Sequence, residues 1–410
     1  MNMIVVKRGV LSLLVLASLR QFAMAADWEK EYCAGDRGVC QVYEQNGSLV
    51  DIYLRNKFPC EGVLTTVTLE HTGRTENLKS HNALPLTMVC GGAQKIKAIS
   101  FTILDTGRRW DTKLTWYWQY GSFDTKGDDT RAYSLPYEKG KRFLVCQGYN
   151  DTPTHNGAHA YSIDWLMPEG TPLCAAREGT VIHVTDHHDG GGFRKEYLDK
   201  NNLVLILHDD GSIAQYAHIK KGGSSVKEGD RVNAGDVIAF SGNVGYSQSP
   251  HLHFAVSRPL DGKRSATIPV GFVTDYADRE VLEKGNYYEY TGASPKKKMP
   301  LVHFDDVVLC KKVMDNRPVD IGTSFAPKDK VMIFVPLYAK RNHRIRVDLF
   351  RDGNPVPVLK YDWTMKKGWW QAITDVDLAK IPNPRGDWAA RISIDRETIG
   401  TKKFTVRTVP

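Results

Sequence analysis

His251-Leu252-His253-Phe254-Ala255-Val256 sets small or polar side chains against large apolar ones with period two, the pattern of a β-strand with one face buried. Both imidazoles then project from one face, while Leu252, Phe254 and Val256 project from the other into a core. Two histidines at this spacing are, by themselves, a weak signal and more often read as polar residues on a solvated strand. Their meaning depends on partners elsewhere in the chain.

One partner lies upstream, where Tyr161, Ile163 and Trp165 alternate against Ala160, Ser162 and Asp164. Asp164 shares its face with small residues, which leave room for a metal ion and a water. A carboxylate without a cation would be costly to bury; the alternative is an aspartate bonded to a backbone amide near a strand end. His159 is an odd number of residues from Asp164 and would face away from it on a continuous strand. His155 sits beyond the strand, after the loop-like run Asp151-Thr152-Pro153-Thr154, which can curl back over the site. Both stay candidates, with His155 the better placed. A histidine, a carboxylate and a second histidine are the three protein ligands expected of a catalytic Zn2+, whose fourth position is kept for water. A further histidine, His218, ends Ala214-Gln215-Tyr216-Ala217, downstream of the apolar run Leu203 to His208 and the turn Asp209-Asp210-Gly211.

With these elements in order, the chain resembles the lysostaphin-type, or LytM-like, zinc endopeptidases of peptidoglycan. The resemblance is carried by His155 and Asp164, by Pro168-Glu169-Gly170-Thr171-Pro172 running into Ala175-Ala176-Arg177-Glu178-Gly179-Thr180-Val181, and by Tyr216-Ala217-His218. It continues through Val226-Lys227-Glu228-Gly229-Asp230, Ala234-Gly235-Asp236, Ser241-Gly242-Asn243-Val244-Gly245 and Pro250-His251-Leu252-His253-Phe254. It implies that His155, Asp164 and His253 bind zinc, and that His218 and His251 stand beside the attacking water and the scissile carbonyl, with their division of labour open. It also implies peptidoglycan stem or bridge peptides as substrate. In the shorter form of the family pattern three residues separate the first histidine from the aspartate, whereas eight lie between His155 and Asp164. This departure is why His159 remains an alternative first ligand. A catalytically inactive LytM-like wall-binding or regulatory protein is the competing reading, although such domains typically lack ligand residues and all expected positions are filled here. There is no GxSxG elbow and no HExxH helix to support another hydrolase class. His183, His187, His188 and His208 match no motif element and read as ordinary solvated loop histidines. Gly229, Gly235, Gly242 and Gly245 read as backbone geometry rather than contacts.

Outward from this centre the chain of 410 residues is long for one core. Val63 to Glu70 is rich in β-branched residues, and Leu114, Trp116, Trp118 and Tyr120 recur with period two. Ile345, Val347 and Leu349, the Asp352-Gly353 turn signal, and Ile392 and Ile394 repeat the style near the C-terminus. The fold class expected is mainly β: a central LytM-like antiparallel β-sheet peptidase domain at 136–290, flanked by small β-sandwich-like domains at 26–135 and 291–410. Short helices are expected only near Asp275 to Glu283 and Asp375 to Lys380. The tryptophan pairs Trp116/Trp118 and Trp369-Trp370 read as packing rather than ligand platforms.

Lys7 and Arg8, the apolar stretch Gly9 to Leu19 and Ala23-Met24-Ala25 read as a signal peptide over 1–25, too short in its apolar core to span a bilayer. A periplasmic or secreted location is expected, with no stable membrane insertion after cleavage. Removing residues 1–25, with three basic and no acidic side chains, lowers the net charge from +8 to about +5. That balance suits an anionic polymer, and no basic run interleaved with aromatics points to nucleic acid. Lys296-Lys297-Lys298, between Pro295 and Pro300, reads as a solvated linker. Seven cysteines in an exported chain make disulfides plausible, with Cys33–Cys40 and Cys60–Cys90 the pairs suggested by proximity.

Overall fold

A computed structural model describes residues 28–33, 38–58, 62–72, 75–92, 94–125, 128, 130–292, 307–314, 317–339, 342–365 and 368–408. The signal segment 1–25, Cys60 and the Lys296-Lys297-Lys298 linker lie outside them. The described residues are nearly all β, with helix confined to isolated 3-10 turns such as Gly157–His159 and Leu378–Lys380. No helix among the described residues is long and apolar enough to cross a membrane.

The chain divides into two compact units. The larger holds the N-terminal β-domain and the histidine-bearing region. In its N-terminal part, a five-stranded sheet and the three-stranded sheet of Leu86–Gly91, Leu64–His71 and Leu114–Tyr120 enclose a core. Trp116 and Trp118 are buried in it at 1% and 2% exposure, so period two in this stretch marks packing and not a ligand platform. Cys33 and Cys40 stand opposite each other across the strands Trp28–Cys33 and Val39–Asn46 and form a disulfide. Cys90 is a buried free thiol, pushed up to about 11 by burial.

The histidine-bearing region is built on an antiparallel sheet. Its strands run in the order Arg231–Val232, Gly179–Thr185, Leu203–Leu207, Ile213–Ala217, His251–Pro259, Ser162–Leu166 and Arg142–Gln147. One face is a core in which Trp165 packs edge-on against Phe254 and Phe272, and Tyr216 packs against Phe254. Leu252, Phe254 and Val256 are at most 1% exposed, as their alternation with the histidines requires. A second sheet, Pro172–Cys174, Val237–Ser241 and Ile219–Ser224, takes over the chain where the first sheet ends at Ala217. The switch occurs at His218, whose φ of 66° is left-handed and turns the chain from one sheet into the other. Gly242 permits that corner: a Cβ there would lie 2.5 Å from the backbone nitrogen of Lys220.

The helix expected near Asp275 is absent. The Asp275 carboxylate accepts hydrogen bonds from the Thr291 backbone and hydroxyl instead of capping a helix, and Phe272 and Glu280 exchange two backbone bonds across the segment. Near Asp375 the strand Gly368–Asp377 persists, and a single turn, Leu378–Lys380, follows with Asp377 accepting from the Ala379 N–H.

The second unit is a sandwich of two sheets. One is ordered Arg317–Ile321, Val308–Met314, Lys330–Ala339, Gly368–Asp377, and the other Ser324–Phe325, Glu397–Val406, Gly386–Ile394, His343–Arg351, Leu359–Met365. Ile345, Val347, Leu349 and Ile392 are fully buried between them, with Trp388 stacked on Phe404. The Trp369-Trp370 side chains lie outside the description.

Candidate metal centre

The sheet register builds the centre. Asp164 lies directly opposite His253, Leu166 opposite His251, and Ala217 opposite His253 on the other side. Directly paired residues share a face, so Asp164, His251 and His253 emerge together, and the corner after Ala217 adds His218. The rings of His218 and His251 are 4.6 Å apart between centroids, and those of His218 and His253 5.9 Å. His155 arrives from the loop before Gly157–His159, its ring 5.3 Å from that of His253. His155, Asp164, His218 and His253 are at most 7% exposed.

His253 Nδ1 lies 2.8 Å from Asp164 Oδ1. His155 Nε2 comes within 3.2 Å of the same oxygen, and His251 Nε2 within 3.7 Å of Oδ2. One ligand atom each from His155, Asp164 and His253 can be chosen so that all lie within 4.8 Å of one another. His159 sits half-buried at the cleft rim, in the 3-10 turn that leads into the Asp164 strand.

Backbone carbonyls determine which nitrogen of each imidazole faces the centre. A carbonyl can only accept, so His155 Nδ1–H donates to Gly148 O at 2.8 Å, His218 Nδ1–H to Val244 O at 2.8 Å, and His251 Nδ1–H to Ser249 O at 2.7 Å. In the neutral form each then carries its lone pair on Nε2. His155 Nε2 is buried and has no hydrogen-bond partner, although it points at Asp164. A buried orphan lone pair beside a carboxylate and a second imidazole fits a divalent metal, and this nitrogen–oxygen donor set suits zinc.

Charge reinforces the arrangement. Burial pushes the Asp164 carboxyl up, but His155, His253 and His251 outweigh it and hold the group well below the usual carboxylate range. Burial, joined by His251 and His253, holds His218 well below the usual imidazole range, so it is a neutral acceptor at neutral pH. Burial also lowers His253 against the pull of Asp164. At His155 burial lowers the value, but the attraction of Asp164 prevails and raises it.

His218, His251 and His253 open on a cleft of about 160 Å³, also lined by Cys146, Gln147, Thr154, Phe193, Tyr246 and Gln248. Phe193 and Tyr246 stack at 4.8 Å. Several of the residues that fix the histidines escaped the sequence reading. Asn201 Oδ1 accepts the backbone N–H of His218 at 3.2 Å, and Ser247 Oγ lies 3.1 Å from His251 Nδ1. Ser247-Gln248-Ser249, immediately before Pro250-His251, was the available signal for the latter. Among the histidines without a motif, His208 is not solvated. It is buried at 3% exposure, donates from Nδ1 to Glu178 O at 2.7 Å and packs against Tyr133.

A buried His–Asp–His cluster at the edge of a cleft, with two further imidazoles beside it, defines a candidate divalent-metal centre on an antiparallel sheet. Residues 158–266 match Peptidase family M23, so the chain carries a domain of that family. The match contains Asp164, His218, His251 and His253 and begins three residues after His155. Over 138 residues the chain is 34% identical to the glycyl-glycine endopeptidase ALE-1 of Staphylococcus capitis, covering 33% of this chain and 34% of that relative. It is 37% identical to lysostaphin of Staphylococcus simulans over 120 residues, 29% of this chain and 21% of the relative. To the peptidoglycan DD-endopeptidase ShyA of Vibrio cholerae it is 27% identical over 186 residues, 44% and 39% of the two chains. The chain thus spans about a third of the length of the first relatives it matches. Among solved structures, the catalytic domain of lysostaphin from Staphylococcus simulans aligns at 25% identity over 31% of this chain and 87% of that one, with a TM-score of 0.22.

Proposed function

We propose that this protein is an exported, zinc-dependent endopeptidase that hydrolyses peptide bonds in bacterial peptidoglycan, with His155, Asp164 and His253 holding the metal. The observation that carries the reading is the convergence of the orphan His155 Nε2, Asp164 Oδ1 and His253 Nδ1 in one buried spot. Bound there, zinc supplies Lewis acidity, which activates water and polarises a carbonyl at neutral pH.

The chain's own residues do the rest. His218, kept neutral by burial with its Nδ1–H tied to Val244 O, offers Nε2 as the proton acceptor for the attacking water. His251, its Nδ1 tied to Ser249 O, presents Nε2 on the same side, where it can bond the developing oxyanion or pass a proton to the leaving amine. The peptidoglycan substrate is favoured by relatives named for cutting glycyl-glycine and peptidoglycan bonds. Export is favoured by the apolar segment and Ala23-Met24-Ala25.

The test is mass spectrometry of muropeptides released by the chain without residues 1–25, alongside His253→Ala and metal analysis of both. Peptide-bond products and stoichiometric zinc are expected from the parent and neither from the variant. Equal product from the two overturns the mechanism. Zinc without hydrolysis in the parent favours a wall-binding or regulatory protein on the same scaffold.

A further inference from the structure

The strand Arg142–Gln147 pairs with Ser162–Leu166 as Leu144 to Leu166 and Val145 to Trp165, then slips by one residue, so that Gln147 rather than Cys146 stands opposite Asp164. Bulges of this kind re-aim side chains next to sites. Gln147 accordingly lines the cleft with Asp164. Its amide nitrogen donates to Asp151 O at 3.1 Å and to Thr154 Oγ1 at 2.8 Å.

Those acceptors belong to the loop that carries His155. Asp151 O also receives the backbone N–H of His155 at 3.0 Å, and Gly148 O receives the His155 Nδ1–H at 2.8 Å. Both ties that orient the imidazole therefore come from residues 148–151, and Gln147 fastens this loop to the sheet that holds Asp164 and His253. A loop left unfastened has to be ordered when the ion binds, which weakens binding.

We infer that Gln147 is a positioning residue that acts through His155, holding its Nε2 where it converges with Asp164 and His253 on a divalent metal ion. The inference rests on the zinc reading above and adds a residue that makes no contact with the ion itself. Cys146, the residue displaced by the bulge, turns its thiol to the backbone oxygen of Asp164 at 3.4 Å instead.

The experiment is a metal titration of the chain without residues 1–25, stripped by a chelator and then loaded with Zn2+ or Co2+ in competition with a chromophoric chelator. Gln147→Ala is expected to lower affinity on the order of 10- to 100-fold, the usual cost of losing a residue that orients a ligand. The visible spectrum of the Co2+ form is expected to change with it, since the His155 ligand is no longer held in one geometry. Thr154→Val, which removes one of the two acceptors, is expected to shift affinity the same way by less. A parent chain that binds neither ion overturns the zinc reading itself. A parent that binds, with Gln147→Ala equal to it in affinity and Co2+ spectrum, overturns the role of Gln147 alone. Should Gln147→Ala lose its β circular dichroism, Thr154→Val decides, and unchanged affinity there overturns the inference.

Discussion

Among the described residues, a histidine–aspartate pair near the surface and a buried one have nearly the same length, and they serve different ends. In the C-terminal unit His343 Nδ1–H donates to Asp395 Oδ2 at 2.9 Å, and Asp395 Oδ1 accepts the backbone N–H of Arg344 at 2.9 Å. Asp395 and Arg396 form the two-residue turn between the strands Gly386–Ile394 and Glu397–Val406, both with positive φ. That carboxylate fastens a hairpin to its neighbour. In the first unit His253 and Asp164 are as close, at 2.8 Å, but His155, His218 and His251 surround them and Asp164 is nearly inaccessible. A pair of this kind is therefore ordinary structural chemistry. What distinguishes the second is the gathering of three other chain segments around one carboxylate, with lone pairs facing inward.

The widest contrast is catalytic. His218→Gln should lower kcat for muropeptide hydrolysis by roughly 10²- to 10⁴-fold, the usual contribution of a positioned acid–base group. Metal content should stay at the parent level. Loss of metal from this variant would make His218 a ligand and not the proton acceptor.

A smaller contrast separates the site histidines from His208. Burial lowers the His208 imidazole to about 4, with Arg177 helping and the Glu178 carbonyl opposing. The unfolded chain binds this proton near pH 6.5 and the folded chain does not, so the stabilisation is full above about 6.5 and is lost as pH falls toward 4. The loss should approach about 3 kcal/mol, read by urea unfolding across that window. His208→Gln should flatten the slope there; an unchanged slope would trace the acid sensitivity to other groups.

The smallest effect falls on the other pair. Asp395→Asn should cost about 1–2 kcal/mol, as expected when charge-assisted bonds become neutral ones. It should leave metal affinity and hydrolysis untouched. A change in either would mean that the two histidine–aspartate pairs are not independent.

Much of this was legible from residue spacing. Alternation in His251 to Val256 identified the strand, the shared face of the two imidazoles and the buried face of Leu252, Phe254 and Val256. Trp116 and Trp118, or Ile345, Val347 and Leu349, were equally readable as core. The helix expected near Asp275 is absent because its carboxylate is bonded to Thr291, sixteen residues away, and Phe272 pairs with Glu280 across the segment. His208 was misjudged for a related reason: it immediately precedes the turn Asp209-Asp210-Gly211, yet Glu178, thirty residues upstream, supplies the acceptor that lets it be buried.

The sequence by itself determined which residues of a strand share a face, because a pleated chain puts every second side chain on the same side whatever it packs against. It also determined that the carboxylate and the paired histidines have the donor chemistry of a metal centre. Only the tertiary structure decided that His155, rather than His159, meets Asp164, that a left-handed corner at His218 swings a third imidazole into the cleft, and that a bulge puts Gln147 opposite Asp164. Those outcomes depend on hydrogen bonds to particular backbone carbonyls, Asp151 and Gly148 for the His155 loop and Val244 for His218, and every residue type carries the same carbonyl.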